Sequence, residues 1–316
     1  MQNVEIYYVM NKEKGLISVI IPSYNYARFI SETIESLQLQ TYKNWEAIVI
    51  DDCSSDDTES IVKILMSKEP RLFYEKHIVN KGLPATRNTG LKIAKGEFVL
   101  FLDADDIISP EKLNLHIKHF NNNPNIDISY SKCYFFRSGY VQDRFLSRKL
   151  NYDEDLFPVS GGKDVLFPIF LRDNMITVLA PLVKASLIEQ VGYFNENLKQ
   201  KEDWNFWIRC VLADANFVYL EDHNAYGLIR VHGGSLLDNE KDSLLYSNEF
   251  YIVLKKILQT RPQIYSAEIK LYEAFMKKRK VREFVKRISR SLGLIDFFRI
   301  FYWKLKRSRY KKINTK

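Results

Sequence analysis

From Leu16 onward, short apolar and β-branched runs alternate with stretches whose apolar residues recur every three or four positions. Residues 17–22, 45–51, 72–76 and 97–103 predict strands, and residues 27–40, 56–67, 83–94 and 110–120 predict helices between them. This alternation is the signature of βα units, so the expected fold class is α/β, a mostly parallel sheet flanked by helices. Ser54, Ser55 and Asp56 with Glu59 predict a capping box on the second helix. Beyond Asp127 the pattern loosens into aromatic-rich segments such as residues 130–140, with a turn at Gly161-Gly162. Helical periodicity returns at 201–213, strands are predicted at 216–220 and 225–231, and the chain reads as helix from about Lys241 nearly to its end. His116 and His119, three apart on a predicted helix among Asn and Lys, are expected at the surface.

The most informative run is Gly96 to Ser109, GEFVLFLDADDIIS, where an almost wholly apolar strand stops on Asp103, Asp105 and Asp106. Carboxylates this close repel one another unless a cation sits among them, and oxygen-only ligation suits Mg2+ or Mn2+. The carboxyl edge of such a strand is where open α/β sheets bind ligands. The plain alternative is an acidic turn that caps the helix after Ser109-Pro110-Glu111.

Composition sets the outer bounds. With 316 residues and 46% apolar content, the chain can bury a sizeable core, and one large domain plus an appendage is expected. No run of about 18 uncharged apolar residues predicts a membrane-spanning helix. The first fifteen residues carry an early acid and no small-residue cleavage site, unlike a secretion signal. Three separated cysteines, Cys53, Cys133 and Cys210, form no CxxC pair, which suits a reducing cytosol. The net charge of +8 is unevenly spread: residues 268–316 hold 17 Lys or Arg against 4 Asp or Glu, a net of +13, which leaves −5 for residues 1–267. Neither GxxxxGK[ST] nor GxGxxG occurs, so a bound nucleotide would depend on carboxylates and a metal for its diphosphate.

The neighbours of the acidic run carry more. IPSYN (Ile21 to Asn25), IVIDDCSSDD (Ile48 to Asp57), NKGLPATRNTG (Asn80 to Gly90), LDADD, KEDW (Lys201 to Trp204) and RVHGGS (Arg230 to Ser235) all fall at element boundaries. In this order they resemble the inverting family 2 glycosyltransferases of the GT-A fold over roughly residues 16–240. The resemblance implies an N-terminal extension at 1–15, a GT-A catalytic domain at 16–240 and a basic helical region at 241–316. It implies a nucleoside pocket at Pro22 and Tyr24, with Asp52 accepting from a base N–H and Arg87 near the base or phosphates. It places Asp103 near ribose and metal, makes Asp105 a metal ligand with Asp106 as neighbour, and gives His232 a place at the metal or diphosphate. The ranking of Asp105 against Asp106 stays open.

Asp203, preceded by Glu202, corresponds to the family's catalytic base. A helix N-terminus lowers a carboxyl pKa, whereas burial beside Trp204 and Trp207 raises it. The implied cofactor is Mn2+ or Mg2+. The implied partners are a nucleoside-diphosphate sugar, UDP-linked by preference, and a saccharide or lipid-linked acceptor. No QxxRW motif of the processive synthases is present, so single-sugar transfer is expected. A scaffold that binds nucleotide sugar without turnover is the alternative.

Residues 292–312, LGLIDFFRIFYWKLKRSRYKK, together with MKKRKVREFVKRISR before them, suit an anionic membrane surface on the cytoplasmic side. Packing on the catalytic domain or on a second subunit stays open for this apolar face. No nucleic-acid partner is expected, because no recognition motif accompanies the charge.

Overall fold

The computed structural model describes residues 12–147, 158–233 and 243–291. The N-terminal half runs β1 (Glu13–Ser23), α1 (Ile30–Gln38), β2 (Trp45–Asp51), α2 (Thr58–Met66), β3 (Leu72–Lys76), α3 (Leu83–Ile93), β4 (Gly96–Phe101), β5 (Ile107–Ile108) and α4 (Lys112–Asn122). It continues with β6 (Ile128–Tyr130), β7 (Lys132–Arg137), β8 (Tyr140–Phe145), α5 (Lys163–Phe170), β9 (Pro181–Lys184), α6 (Ala185–Val191), α7 (Glu202–Leu212), β10 (Phe217–Tyr219) and β11 (Tyr226–Val231). Two helices follow, α8 (Ser243–Thr260) and α9 (Ser266–Ser291).

Seven strands form the main sheet in the order β10-β6-β9-β4-β1-β2-β3. Strands β1, β2, β3 and β4 are mutually parallel, as expected, and β9 enters antiparallel between β4 and β6. Burial on both faces explains the continuous apolar runs: every residue of β2 is buried, and so are the last eight of β1. Because β1 lies between β2 and β4, the connections diverge on either side of it, and a crevice opens beyond its carboxyl end. A second sheet, β5-β11-β7-β8, brings the end of β11 to the same edge. Gly90 lets α3 settle on the sheet, since a Cβ there would meet Ile20 Cγ2 at 2.6 Å.

The first helix is shorter than its pattern, beginning at Ile30 rather than 27, and β1 begins at Glu13 rather than 17. The capping box does not form. Asp56 accepts from the backbone N and hydroxyl of Thr58, while Glu59 pairs with Lys63 and Lys76. His116 corrects the surface expectation: it is fully buried, Nδ1 meets Ser129 Oγ at 2.7 Å, and Nε2 lies 3.1 Å from Ser131 Oγ. His119 is half-buried on the same Ser129. Lys112, also fully buried, donates to Ser131 Oγ and the Ala180 carbonyl, and burial lowers its pKa to about 8. The buried side of α4, which carries Leu113, Ile117 and Phe120 into the core, therefore also carries polar groups that Ser129, Ser131 and the Ala180 carbonyl satisfy.

The irregular stretch beyond Lys132 holds β7, β8, α5, β9 and α6, none of which its sequence pattern revealed. The chain divides into two compact units at Leu254/Lys255, inside α8. Among the described residues no helix is long and apolar enough to cross a membrane. The predicted amphipathic tail, residues 292–312, lies outside the described residues, as do Gly234 and Ser235.

Candidate active site

The residues singled out in the sequence converge on the crevice beyond β1, β2 and β4. After β4, the Asp106 N–H donates to the Asp103 carbonyl at 3.0 Å and closes a turn. Three neighbouring carboxylates thereby leave the strand end with different partners. Asp103, whose side chain is 32% exposed, accepts from Arg87 Nη2 at 2.8 Å. Asp105 Oδ2 meets His232 Nε2 at 2.9 Å. Asp106 Oδ1 accepts the Arg230 backbone N–H at 3.0 Å.

Burial raises the pKa of Asp105, aided by Asp103 and opposed by His232. Burial likewise pushes Asp106 well above the usual carboxylate range, with Asp105 and Asp103 adding to the effect. Negative charge is thus in excess here, which is the electrostatic setting for a bound cation.

Two buried arginines hold the cluster. Arg87, from α3, is 2% exposed and spans Asp103 and Glu202, with Nη1 donating to Glu202 Oε1 at 2.6 Å. Arg87, expected near base or phosphates, is placed between two carboxylates at the crevice, and this pairing offsets the cost of burying its guanidinium. Arg230 donates to the Asp105 carbonyl at 2.7 Å, Glu32 Oε2 at 2.9 Å and Ser138 Oγ at 3.2 Å. Its guanidinium lies 4.6 Å from the ring centroids of both Phe29 and Phe136. In the sequence Arg230 stands out only as part of RVHGGS; its role as a brace depends on α1 and β7, which no local signal places beside it.

Glu202 and Asp203 open α7, after Lys201 in the left-handed region at φ 62°. Burial first, then the neighbouring Asp203, raises Glu202 to about 7 against the pull of Arg87. Asp203 is partly buried; desolvation raises it despite Arg87, so the burial expected from the sequence outweighs the helix terminus. Asn174 Nδ2 donates to Asp203 Oδ2 at 2.9 Å. Asn174 lies in the stretch without motifs, and no sequence signal marked it. Trp204 stacks on Phe250 with centroids 4.1 Å apart and donates to the Phe170 carbonyl, anchoring the first turn of α7.

On the other side of the crevice, Pro22 is buried near the end of β1 and the Tyr24 ring is 48% exposed. Asp52 accepts from the backbone N–H of Lys81 at 2.8 Å and of Gly82 at 2.7 Å, and meets His77 Nδ1 at 2.7 Å. Three of its roughly four acceptor positions are therefore occupied by protein, so buried Asp52 shapes the loop after β3. Gly82, at φ +86°, supplies the left-handed backbone this approach requires.

Among the described residues, no group of three or more His, Cys, Asp or Glu is placed to enclose a metal ion. Of the four expected ligands, the structure brings Asp105 and His232 side chains together, while Asp103 and Asp106 are engaged by arginines. This pair still fits Mg2+ or Mn2+, which are held by one or two protein groups with phosphate oxygens and water completing the shell.

Residues 18–170 match the family model Glycosyl transferase family 2, and the chain belongs to that family of enzymes. An uncharacterized glycosyltransferase of Methanocaldococcus jannaschii is 30% identical over 213 residues, 66% of this chain and 69% of that protein. The UDP-Glc:alpha-D-GlcNAc-diphosphoundecaprenol beta-1,3-glucosyltransferase WfgD of Escherichia coli is 32% identical over 202 residues, 64% of this chain and 71% of that protein. Staphylococcus aureus TarS, solved with UDP-GlcNAc, superposes with a TM-score of 0.62 at 25% identity, covering 82% of this chain and 73% of that one. The mannosyltransferase PcManGT of Pyrobaculum calidifontis, solved with GDP-Man and Mn2+, shares the fold at TM-score 0.52 and 17% identity, over 89% of this chain and 84% of its own.

Proposed function

We propose that this glycosyltransferase moves one sugar at a time from a nucleoside-diphosphate sugar to a hydroxyl of a saccharide or lipid-linked acceptor, with inversion at the anomeric carbon. The observation that carries the reading is the bridge from Asp103 through Arg87 to Glu202, which sets the acidic turn and the Glu202-Asp203 pair on one crevice. The base stacks on Tyr24 above Pro22, with Asp52 reading its N–H, and UDP is favoured because TarS is solved with UDP-GlcNAc and WfgD is a UDP-Glc transferase. Asp105 and His232 would hold a divalent ion, with Asp103 and Asp106 lending their charge; when bound, that ion neutralises the departing diphosphate. Asp203, its basicity raised by burial, takes the proton of the acceptor hydroxyl while Asn174 fixes one carboxylate oxygen. Glu202 stays tied to Arg87 and keeps Asp203 in place. A buried carboxyl pair of raised pKa at a crevice favours turnover over a binding scaffold.

The acceptor of WfgD is linked to diphosphoundecaprenol, and α9 exposes Leu271, Val281 and Phe284 among Lys270, Lys277, Lys278 and Arg282. This face suits the anionic lipid surface where such acceptors lie. A panel of UDP-, GDP- and dTDP-sugars with Mn2+, the anomer of the product read by NMR, tests the reaction; retention or the absence of any turnover would overturn it. Flotation with phosphatidylglycerol vesicles tests the surface, and recovery of the full chain in the unbound fraction would refute it.

A further inference from the structure

Arg28 is an exposed residue between β1 and α1 that no motif singled out. Its guanidinium packs over the Phe29 ring, 4.3 Å from the centroid, and Nη2 lies 3.1 Å from His232 Nδ1. The other nitrogen of that imidazole is on Asp105. A guanidinium can only donate, so in this contact Nδ1 accepts. Arg28 thus stands one imidazole away from the acidic turn.

The other two arginines at this cluster are committed: Arg87 bridges Asp103 and Glu202, and Arg230 is buried on Glu32 and the Asp105 carbonyl. Among the described residues Arg28 pairs with no carboxylate, although Asp105, Asp103 and Asp106 all act on the neighbouring Tyr26. It keeps a planar fork of donors open to solvent, held by Phe29, which is 5% exposed and also carries Arg230 and His232 against its ring. A fork of this kind matches the paired oxygens of a phosphate.

We propose that Arg28 binds the diphosphate of the donor, a second source of positive charge beside the divalent ion that the Asp105-His232 pair would hold. The proposal rests on the nucleotide-sugar reading above. In it, Arg28 leaves His232 and takes the phosphate oxygens when the donor enters, so that leaving-group charge is shared between protein and ion. This deepens the account of a family without a glycine-rich phosphate loop in this chain.

The test uses the full chain, Arg28→Ala and Arg28→Lys, titrated calorimetrically with Mn2+ plus UDP, GDP, dTDP or inorganic pyrophosphate. Mn2+ binding without nucleotide is followed separately by electron paramagnetic resonance. The expected result for Arg28→Ala is a loss of about 10- to 100-fold in affinity for the diphosphate that the wild type binds, with Mn2+ affinity unchanged and partial recovery in Arg28→Lys. Unchanged diphosphate affinity would overturn the proposal. An equal loss of Mn2+ affinity would also overturn it, because Arg28 would then serve only to aim His232. A wild type that binds none of the four probes would overturn the donor reading itself, and this inference with it.

Discussion

Glu202 gives the sharpest prediction, because its environment shifts it far and its partners are known. Buried at 7% exposure, it rises from 4.5 to about 7 even with Arg87 at 2.6 Å. A carboxyl whose folded pKa exceeds its unfolded value holds its proton longer in the native state. It therefore favours folding at low pH, and that stability is lost as pH rises from about 4.5 through about 7. A shift of this size amounts to roughly 3 kcal/mol, at 1.36 kcal/mol per unit. For a body of this size that corresponds to a change in Tm of about 6 to 12 °C. Replacing Glu202 with Gln keeps an acceptor for Arg87 and removes the titration. Thermal melts of wild type and Glu202→Gln from pH 5 to 8 should diverge, the wild type losing more stability as pH rises. Because Asp203 titrates with Glu202, the difference curve belongs to the pair. Parallel curves would refute the claim that this acid is held against its charged form.

Asp203→Asn should abolish transfer, while affinity for the nucleoside diphosphate by calorimetry stays within about twofold, because Asp203 meets the acceptor and not the nucleotide; full activity would remove it from the mechanism. Asp105→Asn and His232→Ala should each weaken Mn2+ binding by about tenfold or more, whereas Asp106→Asn, whose Oδ1 already serves the Arg230 N–H, should change it less. The reverse ranking in a Mn2+ titration would make Asp106 the ligand. Gly90→Ala should cost about 1 to 3 kcal/mol in a urea melt, because the added methyl meets Ile20 Cγ2 at 2.6 Å and α3 must lift from the sheet.

The sequence by itself determined the framework. Runs buried on both faces announced β1, β2 and β4, and carboxylates at their ends announced where the chemistry lies, because a buried strand leaves few other places for charge. The acidic turn stood out for the same local reason, whereas the Glu202-Asp203 pair and His232 were singled out through the resemblance to family 2 glycosyltransferases. Tertiary structure alone decided how those charges are shared. Arg87 lies 115 residues from Glu202 and Arg230 lies 198 from Glu32, and no periodicity announces such pairings. It also decided that His116 and Lys112 turn inward, since their partners Ser129, Ser131 and the Ala180 carbonyl come from other segments of the chain. Local pattern records which groups tolerate burial or need water; which charge answers which is fixed only when distant segments close on one another, because ion pairing acts through space and not along the chain.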